Sequence, residues 1–118
     1  MAEMVEPEQG MDLTQMRCVP CEGGTPPMPL DRAQQLLAQV PGWALEDSTL
    51  TRRFRFKNFK EAMSFVNRVA ELAEAEGHHP NIHISYNRVR LDLTTHAIKG
   101  LSDNDFIMAA KINRLVGA

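Results

Sequence analysis

The chain is short of several things, and each shortage narrows what it can be. No apolar run approaches the ~18 residues that a bilayer-crossing helix needs. Basic residues are not in excess. Thirteen Lys and Arg against fifteen Asp and Glu give a formal charge of -2, unlike the basic footprint of a nonspecific nucleic-acid binder. Cysteine is scarce, with Cys18 and Cys21 forming one C-x-x-C pair and no second pair to complete a structural zinc site. Gly23, Gly24 and the run Pro26-Pro27-Met28-Pro29 follow it, so the pair lies in irregular chain and not at a helix start, where a redox motif would sit. It reads as a reduced pair, with metal or disulfide chemistry as the less favoured alternative. The acidic start Met1-Ala2-Glu3-Met4-Val5-Glu6 is unlike a signal peptide, and the expectation is a cytoplasmic protein with no membrane partner and no direct nucleic-acid partner.

What is present fits one globular domain: 118 residues, 43% hydrophobic and 24% charged. Residues 1–29, rich in acids, prolines and glycines and without a sustained period, read as an extended or disordered leader, and 30–118 as a single folded unit. Asp31 with Gln34 resembles a capping box, and Ala33, Leu36, Leu37 and Val40 repeat at helical spacing until Pro41-Gly42. Two strands follow, over 43–45 and 49–57, the second with Leu50, Phe54 and Phe56 on one side and Thr51, Arg53, Arg55 and Lys57 on the other. Asn58 with Glu61 starts a second helix whose apolar stripe runs from Phe59 to Ala73, and Gly77 is its stop. Ile82 to Tyr86 and Val89 to Thr94 alternate as a hairpin. Ser102 with Asp105 caps a last helix, with Met108, Ile112 and Leu115 facing inward and Lys111 and Arg114 outward. The order α-β-β-α-β-β-α predicts an α+β two-layer sandwich, a four-stranded, largely antiparallel sheet with helices on one face.

Two of only four histidines stand side by side in Glu76-Gly77-His78-His79-Pro80, just where that second helix stops. In a hairpin centred on Asn87, facing residues have numbers summing to about 174, and 78 with 96 satisfies this. If the pairing extends so far, His78, His79 and His96 gather at the hairpin's open end. Imidazole is the side chain whose ordinary pKa suits proton transfer near neutrality. His83, on the polar face of a strand, reads as a solvated histidine outside the site.

The spacing of Phe54-x-Phe56-Lys57-Asn58-Phe59, Glu74-x-x-x-His78-His79-Pro80, Tyr86-Asn87, Thr95-His96 and Gly100-Leu101-Ser102-x-x-Asp105 resembles the pterin-4a-carbinolamine dehydratases over nearly all of 30–116. The resemblance implies removal of water from a 4a-hydroxytetrahydropterin to give a quinonoid dihydropterin, which recycles the pterin used by aromatic amino acid hydroxylases. It implies His78 and His96 as the acid and base candidates, with His79 holding the pterin. Pro80 would shape the pocket wall, and Glu74, Thr95 and Asp105 would orient the ring or the imidazoles. No metal and no separate cofactor are implied, since the pterin is the substrate. Dimers or tetramers of identical subunits and a functional link to a hydroxylase are implied as well.

Taken without the resemblance, Asp105 could be only a capping residue, and Glu74 could belong to a solvated face with Glu71 and Glu76. Two other functional classes stay open. Three histidines and a carboxylate could ligate zinc in a hydrolase, although adjacent residues in extended chain point to opposite faces. A non-catalytic binding or dimerisation module is the other, since mammalian members of the family assist a homeodomain transcription factor.

Overall fold

The structure, a computed structural model, describes residues 12–20 and 23–117. Its elements follow in the expected order: α1 (Leu30–Leu37), β1 (Ala44–Glu46), β2 (Thr49–Arg55), α2 (Phe59–Glu76), β3 (Asn81–Ser85), β4 (Arg88–Leu93) and α3 (Asp103–Leu115). The strands make one sheet in the order β1-β2-β4-β3, each pair antiparallel. Short 3-10 turns occupy Leu13–Gln15 and His96–Ile98.

Strand alternation sorts the sheet into two faces. Leu50 and Phe54 of β2 and Val89, Leu91 and Leu93 of β4 are buried in one core with Phe65, Val66 and Val69 of α2 and Phe106, Ile107 and Ile112 of α3. The other face bears arginines in cross-strand register, Arg53 opposite Arg90 and Arg55 opposite Arg88. This is the α+β two-layer arrangement that the element order dictates.

Local chemistry accounts for the helix ends nearest the histidines. Asn58 caps α2 by accepting the Glu61 N–H at 2.9 Å. Gly77 closes it in the left-handed region, φ 69°, where the N–H groups of Gly77 and His78 both reach the Ala73 carbonyl. A residue with a Cβ is strained there, and the turn sets the angle at which His78 leaves a rigid helix.

Several expectations need correction. Helix α1 begins at Leu30 with Pro29 at the cap position and no side-chain cap bond, so Asp31 lies inside its first turn. The hairpin turns on two residues, Tyr86 and Asn87, with Tyr86 at φ 53°, and its facing residues sum to 173 (Asn81 with Asp92, Ser85 with Arg88). Pairing stops at Asn81, short of His78, and His96 belongs to the 3-10 turn after β4 and not to a strand. Helix α3 is buried on most of its surface, including Asn104, Asp105 and Asn113, because the Leu13–Gln15 turn packs on it in addition to the sheet and α2. Lys111 is accordingly only 13% exposed and pairs with Glu76 at 2.7 Å.

The leader's described part lies against the domain. Leu13 is buried, and the Met28 N–H donates to the Leu101 carbonyl at 2.8 Å. Cys21 falls outside the described residues; Cys18 is half-buried. No helix among the described residues is long and apolar enough to cross a membrane.

Candidate active site

His78 and Asp105 form the most buried and most fully hydrogen-bonded part of the site. His78 follows the Gly77 turn, and Asp105 stands in the first turn of α3, where Ser102 caps the helix. His78 Nε2 lies 2.6 Å from Asp105 Oδ1, with the histidine side chain 12% exposed and the carboxyl fully buried. The other oxygen, Oδ2, accepts from Thr95 Oγ1 at 2.8 Å and from the Ser102 N–H at 3.0 Å. Capping residue and imidazole partner are therefore one and the same group, and a buried carboxylate is satisfied by three donors. An ionised carboxylate can only accept, so the contact with Asp105 in that state requires the His78 tautomer with hydrogen on Nε2.

Thr95 is itself fixed by the bridge to Gly100, its N–H donating to the Gly100 carbonyl at 2.9 Å. That bridge closes the 3-10 turn and presents His96 outward. His96 is exposed, and among the described residues its ring makes no hydrogen bond to another side chain. His79 points away from Asp105 and lies 2.6 Å from Glu74 Oε2, with both side chains largely exposed.

These parts meet at a cavity of about 300 Å3 lined by His78, His79, His96, Thr95, Asn104 and, from the leader, Val19 and Pro20, among others. The three histidines are brought together despite the changed register. Asp105 lies beneath the lining, Glu74 stands outside it behind His79, and Pro80 follows the pair without lining the cavity. His83 is elsewhere, on the outer sheet face, 3.2 Å from Asp92. Among the described residues no three His, Cys, Asp or Glu side chains are grouped so as to hold a metal ion.

Sequence reasoning passed over Glu76. Read as part of a solvated acidic face, its side chain is only 6% exposed and gathers the Cys18 N–H at 2.9 Å, Lys111 at 2.7 Å and Arg17 at 3.4 Å. Burial by itself would raise its carboxyl pKa, but the hydrogen bonds from Lys111 and Cys18 and the charges of Lys111 and Arg17 outweigh it and hold the group below the usual carboxylate value. Asn104 was also missed. It holds both polar atoms of the Val19 backbone, accepting the Val19 N–H at 3.0 Å and donating to its carbonyl.

The profile of the pterin 4 alpha carbinolamine dehydratase family matches residues 26–115. The chain belongs to this family. Among its relatives are proteins provisionally named pterin-4-alpha-carbinolamine dehydratase from Halorhodospira halophila, 51% identical over 89% of this chain and 98% of the relative, and from Methylococcus capsulatus, 51% identical over 87% and 92%. Among solved structures, a transcriptional coactivator/pterin dehydratase from Brucella melitensis superposes with a TM-score of 0.74 at 34% identity, covering 77% of this chain and 99% of that one. A pterin dehydratase-like protein described as a RuBisCO assembly factor in the alpha-carboxysome superposes with a TM-score of 0.54 at 25% identity, covering 64% and 88%. Similarity to the Halorhodospira protein spans about 105 of the 118 residues, while 26–115 number 90 and only three residues follow them. About a dozen leader residues therefore share in the similarity.

Proposed function

We propose that this protein dehydrates a 4a-hydroxytetrahydropterin, with His78 and His96 as the proton-transfer pair and His79 as a pterin-binding group. The observation that carries the reading is the His78–Asp105–Thr95 chain at the wall of a cavity that His79 and His96 also line. In the reaction an acid protonates the 4a-hydroxyl, the C4a–O bond breaks and water leaves. The ring-nitrogen lone pair forms the C=N bond as a base takes that nitrogen's proton, giving the quinonoid dihydropterin. No electrons are exchanged with a second reagent.

Asp105 fixes the ring and tautomer of His78, the role a buried carboxylate plays toward a catalytic imidazole. Thr95 and the Ser102 N–H hold the carboxylate in turn. In this reading His96, exposed on its short turn, exchanges its proton with solvent between turnovers. Each positioned proton transfer contributes roughly a hundredfold to ten-thousandfold in rate. Glu74 steadies His79, which would hold the pterin at the cavity mouth. Such an enzyme would recycle the cofactor of an aromatic amino acid hydroxylase. The test is stopped-flow absorbance of 4a-hydroxytetrahydropterin decay, in which catalytic protein shortens the lifetime and no acceleration refutes the reading.

A second reading, a binding or dimerisation module, draws on the uncovered sheet face. Of its opposed arginine pairs, Arg53 and Arg90 meet Glu46 at 3.5 Å and Asp92 at 3.3 Å, whereas Arg55 and Arg88 have no acidic partner among the described residues, and the Brucella protein is named a coactivator as well as a dehydratase. The sheet also ends in β1 and β3, whose outer edges no strand among the described residues pairs, and edges of this kind favour assembly into a homodimer or homotetramer.

A further inference from the structure

We propose that the leader is part of the active site: Val19 and Pro20, clamped to the domain through Asn104 and Glu76, form an apolar wall of the histidine cavity against which the flat face of the pterin packs. This inference rests on the pterin reading above and adds residues that lie outside the family match at 26–115.

Three observations carry it. Val19 and Pro20 line the same cavity as His78, His79 and His96, and they are the residues of that lining with the bulkiest apolar side chains. Val19 is 63% exposed, an unusual placement for a branched apolar side chain whose backbone is so firmly held. Contact with a ligand would remove that surface from water.

The segment is also built into the fold at both ends. On the approach, Leu13 is buried, the Cys18 N–H donates to the buried Glu76, and Asn104 takes both polar atoms of the Val19 backbone, much as a neighbouring strand would. On the exit, Pro27 lies so close to Gly100 that a Cβ there would stand 2.6 Å from the Pro27 Cβ, and Met28 bonds Leu101.

The anchors adjoin the catalytic apparatus. Asn104 precedes Asp105, and Glu76 precedes Gly77 and His78, so the residues that hold the wall and those that hold His78 share the same two turns of chain. Wall and imidazole are therefore kept at a fixed separation, and the wall acts on binding instead of on proton transfer. Burial, with the charge of Glu76 adding to it, pushes the Cys18 thiol up to about 12, which makes this thiol a reporter of whether the segment is seated.

The experiment compares wild type with V19A/P20A in stopped-flow dehydration of 4a-hydroxytetrahydropterin. Because Val19 and Pro20 are exposed, the variant keeps its fold, which its melting temperature verifies. The expected result is a KM raised about tenfold, with kcat within about twofold, since the contact is made equally in ground and transition states. A second variant, N104A in a C21S background, should raise KM as well and speed modification of Cys18 by a disulfide reagent, with saturating biopterin slowing that modification in the parent. An unchanged KM in V19A/P20A overturns the proposal. If wild type fails to accelerate dehydration, the dehydratase reading falls, and fluorescence titration with biopterin then decides: weaker binding by V19A/P20A supports the wall, whereas equal binding, or none to either protein, overturns it.

Discussion

Asp105 joins two jobs through one carboxylate: Oδ2 takes the Ser102 N–H that caps α3, and Oδ1 lies 2.6 Å from Nε2 of His78. Helix start and imidazole orientation are thus set by the same buried group. Replacing it disturbs both, in separable ways.

Asp105→Asn keeps the size and can still cap, but its amide hydrogens face a ring nitrogen that also carries hydrogen. The His78 tautomer inverts or its ring turns. We expect kcat to fall by about a hundredfold or more in stopped-flow dehydration, with a near-native circular dichroism spectrum. Asp105→Ala should in addition lower the melting temperature, since it leaves Thr95 Oγ1 and the Ser102 N–H without this acceptor.

Gly77→Ala tests the turn that aims His78. At φ 69° the methyl group costs about 1–2 kcal/mol, and for a domain of this size that lowers the melting midpoint by several degrees. Activity should fall further than stability, because the His78 backbone bond to Ala73 belongs to the same turn. Differential scanning calorimetry and single-turnover kinetics on the same preparation separate the two effects.

Glu76 makes stability depend on acid. Its carboxyl pKa is held below the model-compound value of 4.5 in the folded protein, so its contribution is fully present above that pH and is lost as pH falls through the lower folded value. Acid unfolding followed by circular dichroism should therefore be less steep in Glu76→Gln, which is also less stable than wild type at neutral pH. Parallel acid profiles for the two proteins would contradict this.

Much of the fold was readable because its signals are local. Asn58, Gly77 and Ser102 mark helix ends through bonds that span four residues or fewer, and strand alternation placed Leu50, Phe54, Val89 and Leu91 inside. The hairpin register was misread by one because Tyr86 takes a positive φ, 53°, which any sequence rule assigns more readily to its neighbour Asn87. The histidines still converge, because the Thr95–Gly100 bridge turns His96 toward the Gly77 corner without help from a strand. Glu76 and Asn104 had no local signature. Their partners Lys111, Cys18 and Val19 lie 35 to 85 residues away, and an acidic residue among acids reads as solvated until its partner is found.

His79→Ala separates holding from chemistry. With its ring and the Glu74 carboxylate both exposed, the pair contributes little to stability, and the melting temperature should not change. KM for the pterin should rise while kcat changes little, and Glu74→Gln should do the same more weakly. A loss confined to kcat would place His79 among the proton-transfer groups.

The central claim is that His78 and His96 move protons on a 4a-hydroxypterin while His83 does not. Stopped-flow dehydration by His78→Ala, His96→Ala and His83→Ala measures it most directly. The account predicts kcat reduced about a hundredfold or more in each of the first two, with a native circular dichroism spectrum in both, a melting temperature unchanged in His96→Ala and lowered in His78→Ala, which deprives the buried Asp105 of a donor, and near-wild-type rates in the third. Equal effects from all three, or full activity without His78 and His96, would contradict it.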